Sequence, residues 1–408
     1  MRFTLVAIIL FVAFNLSAQV TRDLVAHYSF DNCEDIDSSK VVDVSGIGSD
    51  GVLSGVPVCD CGVVGNALSL NGFDDRGILL GTVNNHFEKE DFSISLYFKL
   101  ASSQGTQTIL SKKDVCSNEH AFSLQVNPAS NTLTVELIEN SSKQASVSTQ
   151  LDFGVCWHHV VIVRGGNTTS LYLNGTLRDR LSAISRVDIE NQRVLTIAGG
   201  HCVLNNESPF NGLIDELRVY DRALNDNEVE ELYLAPDQII NRDTTIFLGN
   251  AVDIQTTSTC ANSFLWSPND FVSDETINNP TISPEVSAVY NLSFIDNVCV
   301  ATDSIRITVI DPDDLDCTQV FLPKAFTPNN DNLNDTYGIS NPYAVTDLIS
   351  FEIFDRWGSR VFFTDNPMES WDGSFRGEPL NPGVLLYRVR FRCDGNEETT
   401  VGSLSIIR

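Results

Sequence analysis

The chain has 408 residues, a length that suits roughly two to four domains of ordinary size. Its formal net charge is −28, so a nucleic acid would be repelled, and an acidic polysaccharide could bind only through a divalent cation. Valine, isoleucine, threonine, phenylalanine, serine and asparagine dominate and helix-favouring runs are scarce, a composition that is typical of half-buried strands.

The first residues have the composition of an export signal. Arg2 supplies a positive charge, and an apolar run of ten residues occupies positions 5–14. Such a run is too short to span a bilayer but suits the core of a signal peptide. We predict a signal peptide over residues 1–18, with cleavage between Ala18 and Gln19. No later run approaches membrane-spanning length, so we expect no transmembrane segment in the mature chain.

Residues 24–236 are a series of strand-like stretches separated by asparagine and glycine turns. The stretch 91–100 alternates, so that one face of a strand would carry Phe92, Ile94, Leu96, Phe98 and Leu100. One short helix is expected over residues 224–233, where an Asn/Asp cap precedes an acidic first turn. Many short strands with little helix predict a β-sandwich.

Six short motifs in this segment occur in the order found in one known kind of domain. They are LVAHYSFD at 24–31, DVSG at 43–46, GNALSLNG at 65–72, WHHV at 157–160, LYLNG at 171–175 and FNGLIDELRVY at 210–220. Together they resemble a laminin-G-like jelly roll of the concanavalin type, which we place at residues 24–236. The resemblance implies a jelly-roll sandwich whose rim loops or concave sheet would bind a ligand.

Jelly rolls of this kind often hold one structural Ca²⁺ between the first and the last strand, and Ca²⁺ prefers oxygen ligands. By resemblance, the ligands would be Asp31, Asp43 and Asp215. The alternative is that Asp43 caps its own Asp-Val-Ser-Gly turn and that Asp215 pairs with a neighbouring arginine or backbone amide.

Residues 237–311 have the size of one small Ig-like sandwich. The stretch 264–268 supplies a central tryptophan, and alternating stretches follow at 289–294 and 305–309. The segment resembles the PKD-like and Ig-like spacer domains of bacterial surface proteins.

Residues 317–408 carry several specific motifs. They are PKAFTPNNDNLND at 323–335, FEIFDRWG at 351–358, WDG at 371–373, PGVLLY at 382–387 and the closing strand at 402–408. The segment is similar to the gliding-motility-associated C-terminal domain, the sorting domain of type IX secretion. The resemblance implies that the type IX secretion machinery is a partner and that the protein reaches the surface of a Gram-negative bacterium.

Ten cysteines follow the predicted cleavage site, and an even number in an exported chain predicts disulfides. In the second and third segments each pair is alone, whereas the six cysteines of the first segment allow fifteen pairings. The expected bridges are Cys260–Cys299, Cys317–Cys393 and, if the loops 112–120 and 199–209 meet, Cys116–Cys202.

No motif of a metalloprotease, a serine hydrolase or a nucleotide-binding enzyme occurs in the sequence. His158 and His159 are adjacent in a strand, so one of them should face inward as a structural residue. Asp215 and Glu216 are also adjacent and should point to opposite faces, which is wrong for the carboxylate pair of a glycosidase. We therefore expect no enzymatic activity.

The sequence thus predicts an all-β chain in which a jelly-roll sandwich precedes two smaller Ig-like β-sandwich domains. The predicted function is that of a secreted cell-surface binding or adhesion protein, whose jelly roll presents a face to a glycan or a surface protein. The alternatives are a structural surface protein without small-ligand binding and a polysaccharide-degrading enzyme of jelly-roll fold.

Overall fold

The computed structural model describes residues 21–87, 90–103, 105–114, 117, 119–199, 207–297, 299–329, 334–345 and 347–407. These residues form strands, two short α-helices, α1 (Cys33–Asp37) and α2 (Asp226–Glu231), and 3-10 turns at Gly81–His86, Pro312–Asp314 and Pro342–Ala344. The all-β class is confirmed. The predicted cleavage site at Ala18 and Gln19, and the predicted Cys116–Cys202 bridge, lie outside the described residues.

The described residues of the first segment form seventeen strands. They are β1 (Leu24–Tyr28), β2 (Lys40–Val41), β3 (Gly51–Ser54), β4 (Val58–Cys61), β5 (Asn66–Asn71), β6 (Arg76–Leu79), β7 (Phe92–Leu100), β8 (Thr106–Lys112), β9 (Ala121–Asn127), β10 (Thr132–Asn140), β11 (Lys143–Gln150), β12 (Trp157–Gly165), β13 (Thr168–Leu173), β14 (Thr176–Ser182), β15 (Thr196–Ile197), β16 (Glu207–Pro209) and β17 (Asn211–Tyr220).

These strands form two sheets that enclose one apolar core. The eight-stranded sheet has the order β14-β13-β12-β7-β17-β5-β4, with β1 paired to β17. The nine-stranded sheet has the order β11-β10-β9-β8-β15-β6-β3-β2, with β16 parallel to β8. Phe92 and Phe98 of one sheet and Phe122 of the other are fully buried in the shared core. This architecture agrees with the jelly-roll sandwich that the motifs predict.

The eight-stranded sheet is covered on its outer face as well. In β7 the polar face of the predicted alternation, which includes Ser95, Tyr97 and Lys99, is buried along with the apolar one. Part of the cover is α2, which begins with a capping box between Asn225 and Glu228. The apolar side of this helix packs on the sheet. The helix and the sheet together form a buried apolar cluster that includes Val161, Val163, Tyr172, Tyr220, Val229 and Leu232.

The chain after α2 is fastened to the same face by a buried tyrosine. The Tyr97 hydroxyl donates to the carbonyl of Leu232 at 3.0 Å and accepts from the amide of Leu234 at 2.7 Å. Both hydrogen bonds are needed, because a buried hydroxyl without partners costs free energy.

The middle segment contains β18 (Thr244–Phe247), β19 (Val252–Asp253), β20 (Ser263–Ser267), β21 (Thr281–Ile282), β22 (Ala288–Ile295) and β23 (Val300–Ile310). One sheet has the order β18-β23-β22-β20, and β19 pairs with β21. The predicted central tryptophan, Trp266, is buried, and its indole N–H donates to the carbonyl of Ile277 at 2.9 Å. The jelly roll and residues 251–284 and 288–307 form one compact unit.

The predicted Cys260–Cys299 bridge is wrong. Cys260 is bonded to Cys61 at the end of β4, and Cys299 is bonded to Cys156 just before β12. Both middle-segment cysteines thus point towards the jelly roll rather than towards each other. The prediction failed because it treated the domain boundary as a boundary for disulfides, whereas the two domains dock and share them.

Within the jelly roll, a third described disulfide joins Cys33 to Cys59 and fixes α1 to β4. The C-terminal segment contains its own bridge, Cys317–Cys393, in the pairing that the sequence analysis expected. None of the described cysteines is free.

The C-terminal segment contains β24 (Ala325–Phe326), β25 (Asp347–Phe354), β26 (Arg360–Thr364), β27 (Ser374–Phe375), β28 (Glu378–Pro379), β29 (Gly383–Cys393) and β30 (Asn396–Ile406). Five of them form a sheet in the order β24-β30-β29-β25-β26, and β27 pairs with β28. Tyr337, Phe351 and Trp371 belong to its separate apolar core. Residues 308–408 belong to the second compact unit.

Candidate functional site

Asp43, one of the predicted calcium ligands, is saturated by backbone amides. One carboxylate oxygen accepts from the amides of His27 at 3.0 Å and Ser45 at 2.9 Å, and the other accepts from Gly48 at 3.1 Å and Ser49 at 2.9 Å. Burial by itself would raise the pKa of Asp43, but the hydrogen bonds from Ser45 and the amides lower it below its ordinary value. Asp43 therefore organises a turn, as the alternative reading of the sequence proposed.

The other two predicted ligands are also engaged elsewhere. Asp215 is fully buried, and its Oδ2 accepts from the amides of Val63 at 2.8 Å and Val64 at 3.1 Å. Burial raises the pKa of Asp215 to about 8. Asp31 accepts from the amide of Asn66 at 3.1 Å.

Asp31, Asp43 and Asp215 do not form a group whose ligand atoms lie within 4.8 Å of one another. In the part of the chain that the structure describes, such a group occurs only at Cys317, Cys393 and Asp394, where the two sulfurs already share a disulfide. The three aspartates are therefore not placed to bind one calcium ion together. Calcium binding itself stays a prediction without an assigned site.

The two strand histidines are both buried. His158 faces the core beside Phe98, at 5.4 Å between ring centroids. His159, on the opposite face, stacks on Tyr97 at 4.5 Å, and its Nε2 lies 2.8 Å from the Ser95 hydroxyl. Burial lowers the pKa of His158 to about 4 and that of His159 to about 3, so both rings are neutral at pH 7. Both are structural residues, because neither is open to a substrate.

The outer side of the nine-stranded sheet presents a polar face, which we define by Gln125 of β9, Thr134 and Glu136 of β10, and Ser146 and Ser148 of β11. Gln125 lies opposite Thr134 in the ladder, and Glu136 lies opposite Ser146. These side chains are half-buried or exposed, whereas their neighbours along each strand are buried in the core. The face offers hydroxyl, amide and carboxylate groups in adjacent rows.

A pocket of about 320 Å³ lies on the other side of the jelly roll; we call it the β1–β17 pocket. It is lined by Thr21, Leu24, His27, Arg218, Tyr220, Glu231, Leu232 and Leu234. The three leucines provide apolar walls. His27, Arg218 and Tyr220 provide polar groups that converge on the same space. This combination of apolar walls with a few polar groups is typical of small-ligand sites.

A β-bulge in β17 builds the polar side of this pocket. The register shifts between Asp215 and Arg218, and Glu216 takes a left-handed conformation with φ of 53°. The Glu216 carboxylate lies 3.1 Å from the His27 Nε2 and is in contact with the guanidinium of Arg218. Because Glu216 neutralises Arg218, the pocket carries a fixed donor set without a large net charge.

Tyr220 is the buried member of the pocket lining. The residue is fully buried, and its hydroxyl has no hydrogen-bond partner among the described residues. Burial raises the pKa of Tyr220 to about 12, so the hydroxyl keeps its proton. The polar side chains that a ligand can reach are those of His27 and Arg218, each 19% exposed. The sequence analysis missed this site, although Glu216, Arg218 and Tyr220 follow the two-residue period of one strand face.

A shallower cleft of about 420 Å³ lies beside β13 and the start of α2. Its polar groups already bond one another. The Tyr172 hydroxyl donates to Asp226 at 2.6 Å, and Arg180 donates to the Ser170 hydroxyl at 2.9 Å. Because these groups already pair with one another, the β1–β17 pocket is the stronger candidate for a ligand site, and this cleft serves as its control.

Two family models match the sequence. The concanavalin A-like lectin/glucanase superfamily matches residues 74–230, and the type IX secretion signal domain matches residues 320–406. The chain carries a concanavalin A-like jelly roll and a type IX secretion signal domain. The second domain indicates export by type IX secretion. No helix in the described part of the chain is long and apolar enough to cross a membrane.

No curated protein matches the sequence. Domain 4 of AbnA, a GH43 extracellular arabinanase from Geobacillus stearothermophilus, is similar at 22% identity, with 52% of this chain and 98% of that chain covered and a TM-score of 0.41. The binding domain of Paraclostridial Mosquitocidal Protein 1 is similar at 15% identity, with 93% and 89% covered and a TM-score of 0.45. The Ruminococcus gnavus IT-sialidase CBM40 gives 17% identity, 41% and 96% coverage and a TM-score of 0.36. Likenesses of this extent carry no argument about the ligand.

Proposed function

We propose that this protein is a binding protein of the Gram-negative cell surface, exported by type IX secretion, and that its jelly roll binds a neutral glycan of one or two sugar rings. The β1–β17 pocket is the proposed site. The observation that carries the proposal is the convergence of the His27 and Arg218 side chains with three leucines around one cavity of about 320 Å³. Both side chains are 19% exposed, so hydroxyl groups of a ligand can reach them.

The chemistry of the pocket suits a sugar ring. A ring has apolar C–H faces, which would pack on Leu24 and Leu232, and hydroxyl edges, which would bond His27 and Arg218. The volume of the pocket, about 320 Å³, falls at the lower end of the range for ligand sites, about 300–1,000 Å³. A neutral ligand is favoured over an anionic one, because the whole chain carries a net charge of −28.

The polar face of the nine-stranded sheet is the second candidate location, because its rows of hydroxyl, amide and carboxylate groups are partly open to solvent. Catalysis is not expected at either place. The most perturbed carboxyl, Asp215, is sealed beneath the backbone of Val63 and Val64, and both strand histidines are buried.

The test is a glycan array probed with the mature chain, residues 19–408, in calcium and in EDTA. We expect neutral glycans to be retained equally in both buffers. Retention only in calcium would indicate a metal-dependent binding site elsewhere in the jelly roll. Retention of no glycan would contradict the proposal and favour a structural or protein-adhesive role.

The site is assigned by three variants measured against the retained glycan. Arg218→Gln should weaken binding about tenfold, which corresponds to one hydrogen bond from a charged donor. Tyr172→Phe, in the shallower cleft, is the control and should bind as the wild type does. If Gln125→Ala rather than Arg218→Gln reduces binding, the polar face is the site.

A further inference from the structure

Lys99 lies in an unusual place for a lysine, because it sits in the central strand β7 and is only 5% exposed. Its ammonium group is in direct contact with the carboxylate of Asp296 in the middle domain, and the two side chains are 6% and 11% exposed. The ring of Trp157 forms one wall, 5.6 Å from the Lys99 Nζ. The pair therefore lies in a nearly dry environment between two docked domains.

The two partners are held in place from both sides. In the sheet, Lys99 lies opposite Trp157, which follows the disulfide-bonded Cys156. Asp296 is fixed by its own turn, because its Oδ1 accepts from the amide of Cys299, the other half of that disulfide. The contact is thus preorganised, since the disulfide holds the start of the strand that pairs with Lys99 close to the turn that carries Asp296.

Asp237 supplies a second carboxyl near the pair. Asp237 is 8% exposed, and its Oδ1 has no hydrogen-bond partner among the described residues. Burial is the main cause that raises the pKa of Asp237 above its ordinary value; the charge of Asp296 raises it further, and the charge of Lys99 lowers it. A carboxyl with a raised pKa can both accept a proton and give one up.

We propose that Lys99 and Asp296 are joined by an amide bond between Nζ and Cγ, formed within the folded protein with Asp237 as the proton carrier. This is an additional covalent link between the jelly roll and the middle domain, beside the Cys61–Cys260 and Cys156–Cys299 disulfides. It is independent of the glycan site.

The reaction is a condensation and needs no oxidant. The Lys99 ammonium loses a proton to the Asp296 carboxylate, and the amine lone pair then attacks Cγ to form the C–N bond. Asp237 accepts a proton from the nitrogen and delivers one to a hydroxyl of the tetrahedral centre. The C–O bond breaks and water leaves, so one ammonium and one carboxylate become one amide and one water, while Asp237 ends as it began.

The buried environment favours condensation over hydrolysis of the amide. A buried ion pair has lost the hydration of two charges, and the mutual attraction of the charges often does not compensate for that loss. An amide removes both charges, and the released water goes to bulk solvent. The reverse hydrolysis would need water in a site walled by Trp157, which is 1% exposed.

The decisive measurement is the intact mass of the mature full chain after complete reduction and alkylation of the cysteines. We expect a mass lower by one water, about 18 Da, than the sequence requires, and a tryptic fragment that links the peptides of Lys99 and Asp296. The full, uncondensed mass of the wild type would overturn the proposal whether or not any variant folds.

Variants then assign the roles. Lys99→Arg and Asp296→Ala should each restore the uncondensed mass. Asp237→Asn, which cannot carry the proton, should leave the pair unlinked or slow its condensation at least tenfold when refolding is followed by mass. Condensation of Asp237→Asn at the wild-type rate would overturn the role given to Asp237.

Lys113 and Glu207 provide an internal comparison, because they form an ion pair with both side chains 9% exposed. Both oxygens of the Glu207 carboxylate accept from the Lys113 Nζ, at 3.1 and 3.0 Å. We expect no linked peptide between them. A link at both pairs would mean that burial alone drives condensation and would overturn the need for Asp237.

Discussion

Replacing Asp215 by asparagine should stabilise the jelly roll at neutral and alkaline pH. The folded state raises the pKa of Asp215 from 3.8 to about 8, mainly by burial. Between these two values the side chain is neutral in the folded chain and ionised in the unfolded chain. Unfolding therefore releases a proton, and stability must fall as the pH rises from about 4 to about 8.

The size of the effect follows from the same interval. A change from 3.8 to about 8 corresponds to about 6 kcal/mol at most. Asparagine does not ionise, and its carbonyl oxygen can still accept from the amides of Val63 and Val64. Its NH₂ group would occupy the place of Oδ1, which has no partner among the described residues, at a cost of about 1–3 kcal/mol. The variant should be more stable by at most about 3–5 kcal/mol at pH 8 and less stable by about 1–3 kcal/mol at pH 4.

The assay is urea unfolding of the wild type and of Asp215→Asn at pH 4, 6 and 8, followed by tryptophan fluorescence. The two stability curves should cross between pH 4 and pH 8, in calcium and in EDTA alike. Parallel curves would refute the buried neutral acid. A variant that is less stable at every pH, with the difference removed by EDTA, would show that Asp215 holds a metal ion after all.

Three further changes test the packing of the same unit. Asp43→Ala removes the acceptor of four backbone amides and should cost about 2–4 kcal/mol, measured by thermal unfolding; an unchanged midpoint would contradict the turn role. Tyr97→Phe loses two hydrogen bonds and should be less stable by about 1–2 kcal/mol. Tyr220→Phe removes a hydroxyl without a partner among the described residues and should keep the wild-type stability. Equal losses of stability in the two variants would contradict this difference in hydrogen bonding. The double variant Cys61→Ser with Cys260→Ser should lower stability by about 2–4 kcal/mol in calorimetry, and a wild-type transition would argue against that disulfide.

Local patterns in the sequence predicted local structure well. The alternation at 91–100 predicted which side of β7 faces the core, and the Asn/Asp cap predicted α2. These predictions succeed because strand and helix periods place side chains on defined faces whatever the rest of the chain does.

Contacts between elements that are distant in the chain could not be predicted in this way. The alternation of β7 left Tyr97 and Lys99 on a polar face, and both are buried because α2, the segment after it and the middle domain cover that face. The same docking redirected Cys260 and Cys299 to the jelly roll. Nothing in a single sequence specifies which surfaces of two domains meet.

At the candidate site, too, local patterns could be predicted from the sequence, whereas contacts between distant elements could not. Glu216, Arg218 and Tyr220 share one strand face by sequence alone, but the pocket exists only because α2 and β1 approach that face. The predicted calcium ligands failed because a motif identifies aspartates without saying which backbone amides will reach them, as they do at Asp43.

The central claim is that the jelly roll binds a neutral glycan in the β1–β17 pocket. The most direct test is calorimetric titration of a glycan retained on the array into the mature wild type, Arg218→Gln and the control Tyr172→Phe. We expect about tenfold weaker binding for Arg218→Gln and wild-type affinity for Tyr172→Phe. Equal affinity of all three proteins, or no measurable heat with any of them, would contradict it.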